Sequence, residues 1–356
     1  MRFPEFSREW KRHKLSEICS FYSGGTPSSS KKEFYNGNIP FIRSGELHKD
    51  KTELFITEDG LNSSAAKLVE IGDLLLALYG ATSGDIAISK IKGAINQAIL
   101  CIRTKQNKKF IESVWNKHVE RLLQTYLQGG QGNLSADIVK NIPFYFADLE
   151  EQDKLANFIS LLDERISTQN KIIEKLETLI KGIVETVISS QKPNTLIKNC
   201  LECNSSTLQE SQVAETGTFP VYGATDISGY TETAGINGES ILIIKDGSGV
   251  GTVKFVSGEY SYIGTLNSLT AKDGYCLKYI YFALQRFSFE PYKTGMAIPH
   301  IYFKDYGKAK IYCPSFSLQT LIAQKLSLIE NKMEVEKRII LCYQLQRSYL
   351  LSRMFI

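Results

Sequence analysis

Two stretches of the chain, "DLEEQDKLANFISLLDERISTQNKIIEKLETLIKGIVETVI" (148–188) and "SFSLQTLIAQKLSLIENKMEVEKRIILCYQLQRSYLLSRMF" (315–355), carry one apolar frame twice at a constant offset of 167. Gln152 meets Gln319, Ala156 meets Ala323 and Asp163 meets Glu330. In the first copy Ile159, Leu162, Ile166, Ile173, Leu176, Ile180, Ile183 and Val187 advance by alternating threes and fours, with Gln169 the polar member of the series. The second copy runs Leu326, Ile329, Met333, Glu336, Ile340, Tyr343, Arg347, Leu350 and Met354. This is a heptad seam, in which Gln169 and Glu336 fix register rather than add stability. Neither copy has an internal proline, so each can form one helix about 60 Å long. A seam needs a partner helix. A second chain could supply it, and so could the sibling arm, packed antiparallel.

The blocks before the arms repeat as well. "NIPFIRSG" (Asn38 to Gly45) resembles "TFPVYGAT" (Thr218 to Thr225) at offset 180, and "GDLLLALYGATSGDIAIS" from Gly72 resembles "GESILIIKDGSGVGTVKF" from Gly238 at offset 166. The difference, 180 less 166, places about 14 extra residues in the first copy between Pro40 and Gly72. Short apolar runs such as "LLLALY" and "ILIIK", separated by Gly, Asp and Ser, predict antiparallel strands. A helix is expected at "KFIESVWNKHVERLLQTYLQ" and another at "LKYIYFALQRF". The expected fold is α+β, with two β-rich domains (1–148 and 191–314), two long antiparallel coiled-coil arms (149–190 and 315–356) and an internal pseudo-twofold repeat.

A length of 356 residues suits two domains, and 43% hydrophobic with 22% charged residues is ordinary for a globular chain. No apolar run reaches the roughly 18 residues of a membrane span, and "MRFPEFSREWKRHK" is too polar for a signal peptide. A cytoplasmic protein without membrane contact is expected. Seven scattered cysteines are then reduced thiols. The net charge of +4 is unevenly spread: 1–148 carries 20 Lys+Arg against 16 Asp+Glu, 149–190 carries 5 against 8, 191–314 carries 11 against 11, and 315–356 carries 6 against 3. The first domain is the basic one.

Catalytic motifs are sparse. "CLEC" (Cys200 to Cys203) is half a zinc site without a second half, so two apolar fillers in a short helix are expected and no metal site. "DGSGVG" (Asp246 to Gly251) follows a strand, but "TVKFV" continues as strand where a phosphate loop needs a helix, which predicts a hairpin turn. The chain contains no Pro-Pro of an adenine methyltransferase and no GxxxxGK[ST]. His13, His48, His118 and His300 have no partners at metal or catalytic spacing.

What remains is loop chemistry suited to base edges. The first domain offers Arg43, Ser44, Tyr79, Thr82, Asn96, Gln97, Gln128, Gln131 and Asn133. The second offers Tyr222, Thr225, Tyr230, Lys245, Ser248, Asn267, Lys293 and His300. Arg, Asn and Gln can each place two hydrogen bonds on a purine in the major groove. Turn capping by the same side chains stays open beside that reading.

"SGGTPSSSKKEFYNGNIPFIRSGEL" (Ser23 to Leu47), followed by an arm opening "LEEQDKLANFISLLDERI", resembles the specificity subunit of type I restriction–modification systems. The likeness covers the whole chain in the order domain, arm, domain, arm. It implies two target-recognition domains, each reading one half of a split, asymmetric sequence in double-stranded DNA and held apart by the arms. It also implies partners: two modification (methyltransferase) subunits and restriction/translocase subunits. S-adenosylmethionine, ATP and magnesium would reside on those partners, with no cofactor and no catalytic residue in this chain. Two other readings stay open: a coiled-coil adaptor whose β domains bind protein, and a free-standing DNA-modifying enzyme.

Overall fold

Leu149 opens the first arm, a helix that runs to Val184 and widens into a π-turn over Glu185–Ser189; Phe316–Met354 forms the second arm. The computed structural model describes residues 2–126, 133–295 and 297–355. The chain divides into two units, Met1–Gln169 with Ile339–Ile356 and Asn170–Arg338. Each unit thus holds one β-rich block and a part of both arms. Among the described residues no helix is long and apolar enough to cross a membrane.

In the first unit Leu155, Ile159 and Leu162 share a core with Leu350, Leu351, Met354 and Phe355. Asp163 closes the seam by accepting from Arg347 Nε at 2.5 Å and pairing with Lys109 at 2.7 Å. Early residues of one arm meet late residues of the other, so the two helices run antiparallel. In the second unit Ile180, Val184 and Ile188 share a core with Ile322, Ala323 and Leu326, again antiparallel. Of the expected seam, Ile159, Leu162, Ile180, Leu326, Ile340 and Leu350 are buried, and Ile166, Ile173, Leu176, Ile183, Ile329 and Met333 are half-buried. Glu336 is only 3% exposed and pairs with Lys332. The end of the first arm leaves the heptad phase. A π-turn adds a residue, which turns Val184 and Ile188 inward and leaves Val187 exposed, where an uninterrupted heptad would bury Val187.

The first β block has two four-stranded sheets. One runs Cys19–Ser23, Ile99–Thr104, Leu74–Ala77, Ile86–Ile88, and the other Phe55–Ile56, Tyr35–Ile42, Gly93–Ile95, Lys67–Val69. The second block forms a single six-stranded sheet in the order Leu201–Ser205, Leu266–Ala271, Ile236–Ile244, Val253–Tyr262, Phe219–Tyr222, Ile227–Thr231. Among the described residues pairing is antiparallel except once per block: Phe41 and Ile42 lie parallel to Ala94 and Ile95, as Val221 and Tyr222 do to Ser261 and Tyr262. A parallel neighbour is reached only by a long crossover, and no local turn signal announces it.

Register corrects the sequence alignment by one residue. Leu74 faces Ile102 and Ile241 faces Leu269, so these strands correspond at offset 167, the offset of the arms, and not 166. A slip of one would exchange the two faces of the strand. The parallel strands keep offset 180, since Phe41 corresponds to Val221. The first block's insertion is therefore 180 less 167, or 13 residues.

One helix backs each block. Lys108–Tyr126 buries Phe110, Ile111, Val114 and Trp115, and Leu277–Gln285 buries Tyr279, Ile280, Phe282 and Leu284. A short ladder, Lys11–Lys14 with Pro143–Phe146 or Thr195–Leu196 with Lys310–Ile311, completes each block. Cys200 ends a short helix and Cys203 sits in the next strand. Among the described residues no group of three or more His, Cys, Asp or Glu is placed to hold a metal.

Candidate nucleic-acid interface

After strand Leu74–Ala77 the first unit turns sharply over residues 79–84. The Leu78 N–H donates to the Ala98 carbonyl at 2.7 Å, and the Leu134 N–H donates to the Leu78 carbonyl at 2.7 Å, so three distant segments meet at one residue. Gly84 N–H closes the turn on the Ala77 carbonyl at 2.9 Å. The second unit repeats every bond 167 residues later: Lys245 to Thr265 at 2.9 Å, Ile301 to Lys245 at 2.9 Å and Gly251 to Ile244 at 2.9 Å. Glycine opens and closes both turns because φ is positive there, +87° and +86° at Gly80 and Gly84, +101° and +91° at Gly247 and Gly251. The "DGSGVG" stretch is accordingly a hairpin turn.

In the first unit this scaffold brings Tyr79, Thr82, Asn96, Gln97 and Asn133 to one edge. Asn133 is exposed beside Leu134, and Tyr79 is half-buried beside Leu78. Asn96 Oδ1 accepts from the Ala98 N–H at 3.1 Å, so its side chain caps the turn. Gln97 is exposed and accepts from the Thr26 hydroxyl at 2.5 Å. Arg43 and Ser44 join the same edge, because Ile42 lies opposite Ile95 in the parallel pair. Gln128 and Gln131 lie outside the described residues.

Arg43 is not a free arginine. Its Nε and Nη2 donate to the two Glu46 oxygens at 3.2 and 3.0 Å, and Thr52 donates to the same carboxylate at 3.0 Å. Burial would raise the Glu46 carboxyl, but hydrogen bonds from the Arg43 side chain and backbone and from Thr52 outweigh it and hold the group below its ordinary value. The guanidinium stays half-exposed, at 50%, with Nη1 and one Nη2 hydrogen unclaimed by Glu46. Beyond it His48 Nε2 pairs with Asp85 Oδ1 at 2.8 Å and ties the Arg43 segment to the foot of the turn. The Asp85 hydrogen bond, first among the causes, raises the His48 pKa against the opposing effect of burial. His48 has no partner near it in sequence, and the fold supplies one.

In the second unit Lys245, Ser248 and His300 share one loop cluster. His300 bridges Asp246 and Thr294 through its backbone, and Gly247 N–H donates to the Pro299 carbonyl at 3.0 Å. Lys293 lies next to Thr294 and is paired with Glu290. Tyr222 ends the parallel pair, as Ile42 does, and its ring lies 4.6 Å from Lys254 Nζ, which also pairs with Asp226. Thr225 is exposed in the turn beyond it, and Tyr230 sits on the edge strand opposite Pro220. Asn267 is 5% exposed and accepts from the Ser205 hydroxyl at 2.9 Å on the neighbouring strand. Its side chain belongs to the sheet interior, which corrects its placement among loop residues.

Two edges with one backbone scaffold, dressed in different polar side chains, suit recognition of two unlike surfaces. Residues 7–178 and 199–341 match the type I restriction modification DNA specificity domain. The chain belongs to that family. A relative, the EcoR124I/EcoR124II specificity subunit of Escherichia coli, is 27% identical over 187 residues, covering 49% of this chain and 45% of the relative. The chain thus matches less than half the length of that relative. The EcoprrI specificity subunit of Escherichia coli is 21% identical over 89% of this chain and 86% of its own. The fold is shared with the solved S subunit of the M. genitalium type I system, at TM-score 0.70 and 18% identity over 100% of this chain and 99% of that one. Both family segments begin in a β block and run into an arm, so membership covers both repeats.

Proposed function

We propose that the chain is the non-catalytic specificity subunit of a type I restriction–modification complex and reads a bipartite, asymmetric target in double-stranded DNA. One observation carries the reading. The turn scaffold around Leu78 recurs around Lys245 with the same hydrogen bonds, while the side chains it presents change from Tyr79, Thr82, Gln97 and Asn133 to Lys245, Ser248 and His300. A constant scaffold with variable polar side chains is what two heads reading different half-sites need, because phosphate contacts position and base-edge contacts specify. The segments 1–148 and 191–314 are the heads, and 149–190 and 315–356 the arms that set their spacing and dock two modification subunits. Restriction/translocase subunits complete the complex, and S-adenosylmethionine, ATP and magnesium act on the partners.

The test is reconstitution. Modification subunits with this chain are expected to methylate adenines in one split motif, and neither component alone to do so. Methylation by the isolated chain, or methylation without a motif in the reconstituted complex, contradicts the reading.

A further inference from the structure

We propose that the first unit carries a phosphate-binding groove built on Arg12 and Arg121. The groove, about 450 Å³, lies between the later turns of helix Lys108–Tyr126 and the ladder of Lys11–Lys14 with Pro143–Phe146. Arg12 comes from the ladder and Arg121 from the helix, and His118, Thr125, Phe144 and Tyr145 line the space between. No carboxylate is among its described lining residues.

That composition is unusual for this unit. Arg2, Arg8, Arg43 and Arg103 each hold a carboxylate within 4 Å. Arg12 and Arg121 are exposed and form no ion pair among the described residues. Two guanidinium groups without an ion pair over a largely apolar wall match the charge and the oxygen acceptors of a phosphate. The volume is in the range of small-ligand sites, roughly 300 to 1,000 Å³.

The groove and the turn at Gly84 use different faces of one helix: a Cβ built at Gly84 would meet Val119 Cγ2 at 2.9 Å and Leu123 Cδ2 at 3.1 Å, whereas His118, Arg121, Leu122 and Thr125 face the groove. The duplication does not account for the cations. Asn107 and Cys276 make the same N–H bond to Gln152 and Gln319, and counting from them helix Leu277–Gln285 ends at the position of Asn116, before the turn on which Arg121 stands. The equivalent groove of the second unit, lined by Arg286, Phe287 and Tyr312, is about 180 Å³, and its Arg286 is held by Glu185 at 3.4 Å.

The shared ligand chemistry is a phosphate group, from the DNA backbone flanking the half-site or from a small phosphorylated molecule. Only the first source rests on the DNA reading above. The test compares the full wild-type chain with Arg12→Gln/Arg121→Gln and Arg12→Lys/Arg121→Lys in two titrations. The first is duplex binding across a sodium chloride series, and the second is calorimetry with inorganic phosphate. For a backbone phosphate, the Gln pair is expected to lower the slope of log affinity against log salt by about 0.9, the value for one phosphate. It should weaken all duplexes alike, while the Lys pair keeps most of the slope. For a small ligand, wild type saturates with inorganic phosphate, the Gln pair does not, and the duplex slope is unchanged. Unchanged slope together with an unchanged phosphate titration overturns the proposal. If wild type shows no salt-dependent duplex binding either alone or reconstituted with modification subunits, the DNA reading fails and the phosphate titration alone decides the groove.

Discussion

Gln152 and Gln319, 167 positions apart, make the same two bonds. Each Nε2 donates at 2.8 Å to the carbonyl five residues earlier, on Ala147 and Pro314, and each Oε1 accepts the N–H that precedes the backing helix, from Asn107 at 3.1 Å and Cys276 at 3.0 Å. Both are essentially fully buried. Each amide therefore fastens an arm to its own β block. Gln152→Ala and Gln319→Ala strand a buried N–H and a carbonyl, and each is expected to cost about 1 to 3 kcal/mol. Urea unfolding of the two variants measures it, and a loss below a few tenths would remove the amides from the account.

Gly84 and Gly251 close the two turns at positive φ. Alanine at either is strained by roughly 1 to 2 kcal/mol. At Gly84 the added methyl meets side-chain methyls, Val119 Cγ2 at 2.9 Å and Leu123 Cδ2 at 3.1 Å, but at Gly251 it meets the Phe289 Cβ, fixed to the backbone, at 2.9 Å and ring atoms at 3.1 Å. Gly251→Ala is therefore expected to destabilise more than Gly84→Ala, by thermal unfolding. Each should also weaken recognition of one half-site only. Equal melting shifts, or damage to both half-sites, would count against the packing and the two heads respectively.

Arg43 serves the fold as well as any DNA contact. Arg43→Ala leaves the buried Glu46 carboxylate short of two hydrogen bonds, at a cost of about 1 to 3 kcal/mol, held toward the low end by the half-exposed guanidinium. Because Glu46 is held below its ordinary value, this contribution is present above the usual carboxylate range and disappears as pH falls through the folded value. Arg43→Ala/Glu46→Gln should regain stability without regaining DNA affinity. Recovery of both would leave Arg43 with a structural role alone.

The His48–Asp85 tie has the opposite sign. A histidine raised in the fold contributes stability that is complete below its unfolded pKa and is lost as pH rises through the folded value. Asp85→Asn should return the His48 titration, followed by NMR, toward the ordinary value of about 6.5. No movement of that titration would show that the pair does not form in solution.

The arms and the duplication are legible in the sequence because a buried seam demands an apolar residue every three or four positions, and because Gln152 and Gln319 share one task. Other features leave no local trace. Phe41–Ile42 meets Ala94–Ile95 only through a crossover, and His48 finds Asp85 37 positions away. The π-turn at Glu185–Ser189 interrupts a phase that the apolar series carries through Val187. Asn267 looks like a loop residue until Ser205 arrives on the adjacent strand to satisfy it. Of the interface, the turn glycines are visible in sequence, whereas the convergence of Leu78, Ala98 and Leu134 is purely tertiary.

An inserted helical turn tests the arms as a ruler. Four residues after Ile166 lengthen the first arm by about 6 Å. That is one to two base pairs at about 3.4 Å each, so the spacer between half-sites is expected to grow while the half-sites stay the same. A stability loss accompanies it, since the insertion shifts the heptad phase. Methylation mapping of an assembled variant that kept the original spacer would reduce the arms to tethers.

Two heads that read independently can be exchanged one at a time. Residues 191–314 are replaced by the matching segment of a relative with a different target, and methylated adenines are mapped genome-wide in cells carrying each version. One half of the split motif is expected to change and the other to remain. A motif altered in both halves, or in neither, would contradict the account.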